Sequence, residues 1–512
     1  MDAATRIPAT AIVTRYGGLA GSALLAVAGA WSEQRHISWV WLAGLVLLVG
    51  SWLLLGRRLA GVRLSWLLVT AALWALPVLV SGPLESRDVY SYACQGSLVV
   101  HGIDPYAHGP ASLPCPWLSH VTPLWRSAHS PYGPLWLMVS GAGAATGRLA
   151  LAVAVLRVAA LAGMALVGWA GHRLARTVGV DPVRAAWLGI ASPLVMIHAL
   201  SGAHNDALLA GLVAAAFAVA TRVPATPAPT ADAAARGWGR TGTATPVVGR
   251  RWGRTGTATP VVGRRWGRTG QAALVGALLG LAFAVKANAL VALPFVVLLI
   301  AADRRWRSIL GAAATAGAGL IGAFGLLWAL TGFGLGWVSA LSNTTRSIIE
   351  PNSIPTGLGL GAAKVLGKLG QPDLARHAVG YFRAAGLVVL AGLLVAVWLW
   401  ARRECRAASV VPAAGVALLA SVVLAPVAFP WYALAGVALL AYGLTDDRLR
   451  YGLALLVAPV GLLILPNGRG LAIRYLTASA LFEATLVVAV ASAAVIYLVR
   501  QRRAERTPTG AA

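Results

Sequence analysis

The chain has 512 residues, of which 58% are hydrophobic and 11% are charged, whereas about 25% of the residues in a typical soluble domain are charged. This composition excludes a disordered chain and argues against an ordinary soluble globule. Lys and Arg total 42 against 16 for Asp and Glu, which gives a formal charge of +26. Many apolar runs of membrane-spanning length indicate a polytopic membrane protein, in which the placement of the basic residues matters more than their sum.

The apolar runs and basic links predict an all-α protein with about 14 transmembrane helices and both termini in the cytoplasm. Basic links are assigned to the cytoplasm because Lys and Arg collect there. The first run is read as a retained helix in preference to a cleaved signal peptide, and the short apolar piece 134–146 as lying on or dipping into the outer leaflet. The predicted spans cover about 17–31, 39–56, 64–82, 149–171, 184–200, 206–221, 271–286, 288–302, 308–330, 382–401, 408–425, 432–444, 451–466 and 476–499.

The same pattern predicts a single multi-span membrane domain over residues 1–502 with three insertions. Stretches 83–133 and 331–381 hold no spanning run and are expected to be extracytoplasmic loops with interfacial helices. Segment 222–270 is predicted to be a disordered cytoplasmic linker, because it is rich in Gly, Pro, Thr and Arg and repeats a tryptophan every fourteen residues. A nucleic-acid role for this repeat is the minor alternative.

Asp88 is the first candidate for chemistry. It follows the third predicted span at the outer interface, where a carboxylate can meet a polar acceptor from water and a lipid head group from the bilayer. The alternative is a structural role, either at a helix end or as the ion partner of Arg87.

Five short strings carry a family resemblance. They are residues 86–92 (Ser-Arg-Asp-Val-Tyr-Ser-Tyr), 102–106 (Gly-Ile-Asp-Pro-Tyr), 131–135 (Pro-Tyr-Gly-Pro-Leu), 204–207 (His-Asn-Asp-Ala) and 286–290 (Lys-Ala-Asn-Ala-Leu). Together they resemble the polyprenol-phosphomannose-dependent α-(1→6)-mannosyltransferases of actinobacterial lipomannan assembly, in the type C glycosyltransferase superfamily. The resemblance covers most of the chain, and the tryptophan and arginine repeat departs from it.

The resemblance implies transfer of mannose from a polyprenyl-phosphate donor to a mannan or glycolipid acceptor at the outer face of the cell membrane. The leaving phosphate needs no protonation, so one carboxylate, Asp88, suffices as general base, whereas glycosidases need two carboxyl groups. Direct displacement on a β-linked donor gives an α-(1→6) product. No cofactor is required. An accessory divalent cation on Asp88 or Asp206 is the minor alternative, because the histidines of segment 83–133 lack a helical i, i+4 pair.

The remaining candidates are outer-face residues that contact the sugar or the phosphate. Some of them have a structural alternative: snorkelling for the lysine, helix capping for the Asn-Asp pair, and interfacial anchoring for the tryptophan and the tyrosine after it. Donor phosphate or sugar contacts are assigned to Arg87, Tyr90, His204, Asn205, Asp206, Lys286 and Arg346, and acceptor or sugar contacts to Tyr132, Asn288, Trp431 and Tyr432.

Several alternatives stay open at this point. The same fold with another lipid-linked sugar or a protein acceptor is the nearest, and a polyprenyl-lipid or glycan transporter is the next. Arg157 and Glu483 fall within predicted spans, where charges are costly and usually paired or functional. Cys94 and Cys115 share the first outer segment, where an oxidising compartment would permit a disulfide.

Overall fold

The computed structural model describes residues 7–30, 39–221, 267–301, 303–333, 336–337, 339–340, 348–349 and 351–464. Within these ranges the regular structure is helical and no β-strand occurs, which confirms the predicted all-α class. The α-helices are α1 (Ala9–Ala30), α2 (Trp39–Gly56), α3 (Leu64–Val80), α4 (Asp88–Val100), α5 (Pro123–Arg126), α6 (Pro134–Ala144), α7 (Leu149–Val178), α8 (Pro182–Gly189), α9 (Asp206–Ala220), α10 (Arg268–Phe283), α11 (Leu293–Ile300), α12 (Trp306–Thr331), α13 (Ile354–Lys368), α14 (Pro372–Glu404), α15 (Ala407–Val423), α16 (Leu434–Gly443) and α17 (Asp447–Val457).

Shorter helical turns complete the described structure. A π-helix spans Val195–Ser201, and 3₁₀ helices span Pro110–Ser112, Leu118–His120, Ala287–Ala292, Pro430–Ala433 and Ala458–Leu462.

Among the described residues, five helices are long and apolar enough to cross a membrane: α1, α2, α7, α12 and α14. The π-helix and α9 form a sixth candidate if they are counted as one span, although the two are bent by 105° at the break between them. Shorter apolar helices account for other predicted spans, among them α3, α10, α15 and α16 with its preceding 3₁₀ turn. The membrane character is therefore supported, and the number of about 14 spans stays a prediction.

Some predicted bounds are wrong for local reasons. The predicted span 184–200 is broken after α8, because Pro193 cannot supply the N–H that a continuous helix needs. The predicted span 382–401 starts earlier, at Pro372, where proline is favoured at a helix start and Asp373 complements the helix dipole. The second predicted loop, 331–381, in which interfacial helices are expected, contains α13 and the first turns of α14.

Other predictions fall on residues that the structure does not describe. Residues 222–266 of the predicted linker, the predicted span 476–499, and the residues Arg346 and Glu483 all lie outside the described ranges.

Helix α9 is the centre of the structure. It is buried along nearly its whole length, and it packs against α7, α10 and α16. The crossing with α7 is close because a glycine stands on each side: a Cβ added at Gly163 would lie 2.3 Å from the Ala207 carbonyl oxygen, and one at Gly211 would lie 2.3 Å from the Gly163 carbonyl oxygen. Small residues permit such backbone contact between membrane helices. The crossing fixes the first turn of α9, where Asp206 lies.

We expect Gly163→Ala to lower the melting temperature of the detergent-solubilised protein, because the new methyl group overlaps backbone atoms that cannot rotate away. Overpacking of this kind costs about 1–3 kcal/mol. Gly168→Ala is the matched control on the same helix, since its nearest neighbour would be the Ile190 Cδ1 atom at 3.8 Å. Equal melting temperatures for the two variants would contradict the close crossing.

Candidate active site

Asp88 is the first residue of α4, and the chain reaches it through the turn 81–87 that follows α3. Its side chain is 12% exposed, so the carboxyl group lies at the edge of a buried cluster. A carboxylate is favoured here because the first N–H groups of a helix carry partial positive charge. Ser86 and Trp125 also hydrogen-bond the carboxylate and stabilise its ionised form.

Asp206 occupies the equivalent place at the start of α9 and forms an ion pair with Lys286. The Lys286 Nζ atom donates to Asp206 Oδ1 at 3.0 Å and to Oδ2 at 2.9 Å. The same Nζ lies 3.5 Å from the centroid of the Tyr432 ring, a cation–π contact. The Lys286 side chain is only 13% exposed, so it is part of an internal pair and does not extend to the membrane surface.

Asp88 lies beside the Asp206–Lys286 ion pair and titrates near neutral pH. Burial raises the pKa of Asp88 to about 7; the Lys286 charge opposes this rise and the Asp206 charge adds to it. Burial lowers the pKa of Lys286, and the Asp206 carboxylate opposes that fall. Asp88 can therefore accept a proton under physiological conditions, as a general base must.

His204 faces Asp88 from the turn before α9. Its Nδ1 atom lies 3.9 Å from Asp88 Oδ2 and 3.3 Å from the Tyr92 hydroxyl oxygen. The imidazole ring stacks on Trp431, with ring centroids 3.8 Å apart and planes at 11°, and the Trp431 ring stacks on Phe429 at 4.8 Å. Stacking and complete burial thus fix the orientation of the ring.

Tyr92 anchors the other wall of the site. Its ring meets those of Tyr132 and Trp136 edge to face, with centroids 5.2 Å apart in both contacts, and the Tyr92 and Tyr132 hydroxyl groups share a hydrogen bond. The Tyr132 segment is fixed by its own backbone, because the Gly133 N–H donates to the Val285 carbonyl at 3.2 Å. This bond places Tyr132 next to the segment that carries Lys286.

Arg157 holds the two turns that carry the acidic residues. From the middle of α7, its guanidinium donates to the carbonyls of Leu79 (2.6 Å), Ser81 (2.8 Å) and Ser201 (3.2 Å). The Leu84 N–H also donates to the Ser201 hydroxyl at 3.0 Å. The turn before α4 and the turn before α9 are therefore joined through one buried cation, which explains the charge within a predicted span.

Cys94 and Cys115 form a disulfide bond, so the pairing left open by the sequence is present in the structure. The bond joins α4 to the loop that follows it. Val121, Trp117 and Trp125 pack around it, and this packing brings the Trp125 side chain to Asp88.

Within the described ranges, no group of three or more His, Cys, Asp or Glu side chains is arranged to hold a metal ion. The histidines of segment 83–133 are dispersed: the His101 Nδ1 atom bonds the Ser97 carbonyl, and the His120 ring packs on Tyr90.

The structure brings most of the predicted residues together. Asp88, His204, Asp206, Lys286, Tyr132, Trp431 and Tyr432 form one cluster. Arg87 precedes α4 at its half-exposed N-cap, whereas Tyr90 points towards His120 and not into the cluster. Asn205 is buried between His204 and Asp206, and Asn288 lies in the 3₁₀ helix after Lys286.

Residues in or next to the site that the sequence analysis does not predict include Tyr92, Glu85 and His198. A signal for Tyr92 was present, because a residue four positions after Asp88 lies on the same face of a helix, whereas Tyr90 lies on the other side. Glu85 and His198 carried no pattern that distinguishes them from ordinary loop and core residues.

The described chain is thus an all-helical membrane protein whose broken central helix carries a buried centre of acidic, imidazole and ammonium groups. Residues 9–302 match the family model described as alpha-(1->6)-mannopyranosyltransferase, N-terminal domain, and residues 355–497 match the MptB C-terminal domain. The chain belongs to this alpha-(1->6)-mannopyranosyltransferase family, as the resemblance implied, and it is a mannosyltransferase.

Relatives from three genera support the assignment. The chain is 32% identical over 461 residues to alpha-(1->6)-mannopyranosyltransferase A of Mycobacterium tuberculosis, covering 81% of this chain and 77% of the relative. It is 35% identical over 419 residues to a probable alpha-(1->6)-mannopyranosyltransferase of Mycolicibacterium smegmatis, covering 76% of this chain and 68% of the relative. It is 28% identical over 445 residues to alpha-(1->6)-mannopyranosyltransferase A of Corynebacterium glutamicum, covering 80% and 79%. No solved structure matches the chain.

We expect Arg157→Met to abolish most of the transferase activity and Arg157→Lys to reduce it, because each orphaned carbonyl costs about 1–3 kcal/mol and an ammonium cannot reproduce the guanidinium fork. The measurement is mannosyl transfer by membranes at equal amounts of inserted protein. Arg148→Met is the control, since Arg148 is exposed at the start of the same helix. An Arg157→Met enzyme as fast as wild type would show that the two turns are held by other contacts.

Proposed function

We propose that the protein is an inverting mannosyltransferase that moves mannose from polyprenyl-phosphate-mannose to a mannan or glycolipid acceptor and forms an α-(1→6) linkage. The observation that carries the proposal is Asp88, a carboxyl group at a helix start whose pKa is raised to about 7 beside a neutralised Asp206–Lys286 pair. The names of the three relatives, all alpha-(1->6)-mannopyranosyltransferases, support the sugar and the linkage.

Asp88 acts as the general base in this proposal. The acceptor hydroxyl gives its proton to the Asp88 carboxylate as its oxygen attacks the anomeric carbon, and the bond between that carbon and the phosphate oxygen breaks. The leaving polyprenyl phosphate is stable as an anion, so a second carboxyl group is not needed as an acid. A base works best when its pKa is near the working pH, which fits a value of about 7.

Lys286 and Asp206 act as a unit towards the donor. The Lys286 ammonium stabilises negative charge that develops on the leaving oxygen, and the Asp206 carboxylate orients both the ammonium and a sugar hydroxyl. Arg87, half-exposed beside Asp88, is the second cation for the phosphate, and Arg346 stays a prediction for the same role.

Sugar contacts are proposed for the residues that border the cluster. Tyr132 and Tyr432 offer aromatic surface and hydroxyl groups, and the half-buried Asn288 offers an amide, whereas Asn205 is fully buried and takes a supporting role. Trp431 is 4% exposed and stacks on His204, so we assign it a supporting role in place of a direct sugar contact.

We place the reaction on the extracytoplasmic face of the cell membrane, with both termini in the cytoplasm and one multi-span domain over residues 1–502. The loops 83–133 and 331–381 and the cytoplasmic linker 222–270 complete this arrangement. The disulfide between Cys94 and Cys115 supports it, because the bond lies beside Asp88 and disulfides persist in oxidising compartments. The donor and the acceptor lipid would then both reach the site from the bilayer.

The test is transfer of radiolabelled mannose from mannosyl polyprenyl phosphate to a short mannoside. We expect Asp88→Asn to lower the rate by about 10²–10⁴-fold, the usual contribution of a positioned base. Asp104→Asn is the control, because Asp104 lies in the same segment and only accepts a bond from the Tyr106 N–H, which asparagine also accepts. No transfer by the wild-type protein, or transfer only from another polyprenyl-phosphate sugar, would refute the donor; equal rates for Asp88→Asn and wild type would refute the base.

The pH dependence provides a second test. A base is active when deprotonated, and Asp88 holds its proton below its raised pKa, so kcat/KM should rise as the pH increases through about 7. Lys286 lowers the pKa of Asp88, so Lys286→Met should move the rise to higher pH and also slow the reaction. The double variant Lys286→Met/Asp206→Asn removes both the charge that lowers the pKa of Asp88 and the charge that raises it, so its rise in kcat/KM should shift less than that of Lys286→Met. A rise at the same pH in the wild type and both variants would show that the pH profile does not report the ionisation of Asp88.

A further inference from the structure

Glu85 is a second buried carboxyl group close to the site. Glu85 lies three residues before Asp88 and is 1% exposed. Its Oε2 atom lies 3.7 Å from the Nε2 atom of His198. The Trp41 side chain also faces it. The mechanism proposed above uses neither Glu85 nor His198.

The backbone at Glu85 is held in an unfavourable conformation. Its φ angle is +53°, in the left-handed region that favours glycine, and Ala203, immediately before His204, has a φ angle of +49°. Strained non-glycine residues persist only where surrounding structure holds them, and they are concentrated at functional sites. Here they lie on the two turns that carry Asp88 and His204, and the first of them directs a carboxyl group into the interior.

His198 determines which partner must supply the proton of this contact. Its ring hydrogen-bonds the Val460 backbone in the sense that favours an N–H donor, which assigns a proton to the nitrogen away from Glu85. In a neutral imidazole the other nitrogen, Nε2, is then an acceptor. A carboxylate facing that lone pair would be repelled, whereas a protonated carboxyl group would donate to it.

The surroundings of Glu85 favour the protonated form. Burial raises the pKa of Glu85 well above its usual value, and the Trp41 side chain opposes this only in part. His198 is the titratable group that faces it from the π-helix, and Arg157 on α7 directs its guanidinium to the carbonyls of residues 79, 81 and 201.

We propose that Glu85 is a positioning residue that stays protonated and directs its O–H group towards the acceptor nitrogen of His198 in a polar contact of 3.7 Å, and so holds the His204 and Trp431 rings next to Asp88. His198 lies against both rings, with ring centroids 5.7 Å from Trp431 and 6.4 Å from His204. His204 in turn faces Asp88 at 3.9 Å. The inference rests on the proposed function only for its effect on the rate, because the protonation of Glu85 is independent of what Asp88 does.

The first test is a pH profile of mannosyl transfer for the wild type, Glu85→Gln and Glu85→Leu. Glutamine donates through its amide at every pH, so Glu85→Gln should stay close to the wild-type rate at neutral pH and lose the fall in rate that Glu85 ionisation causes in alkaline solution. Glu85→Leu cannot donate and should be at least about tenfold slower, the result expected for a lost buried partner. A leucine variant with the wild-type rate and profile, or a glutamine variant as slow as the leucine variant, would overturn the proposal.

The second test does not use activity. In an Asp88→Asn background at pH 8, infrared spectroscopy should detect a protonated carboxyl group that is absent when Glu85→Gln is added. Persistence of that signal, or its absence before Glu85 is changed, would overturn the protonated state. If Asp88 proves not to be the base, this signal is unaffected, so failure of the proposed function and failure of this inference give different results.

Discussion

The arrangement of the site depends on one buried cation. Arg157 lies in an apolar helix, where a charge must find partners. Its partners are backbone carbonyls at the ends of α3 and of the π-helix, where the two turns begin. One of those turns leads to Asp88 and the other to His204 and Asp206. Because a single planar group binds both, the guanidinium constrains the spacing between the two helix starts, together with the bond from the Leu84 N–H to the Ser201 hydroxyl.

Charge balance explains why the acidic residues behave differently. Asp206 is neutralised by Lys286 at hydrogen-bond distance, and breaking a buried pair of this kind would leave an uncompensated charge. Asp88 has no such partner at that distance in the described chain, and burial raises its pKa to about 7. Two carboxyl groups with similar positions at helix starts therefore lie in different surroundings, one paired with an ammonium group and the other without a cation at hydrogen-bond distance.

The sequence predicted the members of this cluster better than their contacts. The strings around Asp88, His204, Asp206 and Lys286 identified residues that meet in space although up to about two hundred positions separate them. They were recognised together because they are the strings that resemble the family. Choosing Tyr90 over Tyr92 ignored helical periodicity, which the sequence contained. Glu85 could not be predicted, since its inward direction follows from a left-handed backbone angle that only the folded turn imposes. The helix break after α8 was predictable from Pro193, but the 105° bend was not.

That bend gives the reason for the location of the chemistry. A broken helix frees backbone groups, and in a membrane these are tolerated only where protein surrounds them. Here the freed Ser201 carbonyl binds Arg157, the Ser201 hydroxyl binds the turn before Asp88, and α9 is enclosed by α7, α10 and α16. A continuous helix at this place would have presented apolar side chains and no polar termini. The break therefore provides a helix start inside the protein, where Asp206 is held by Lys286 and His204 faces Asp88.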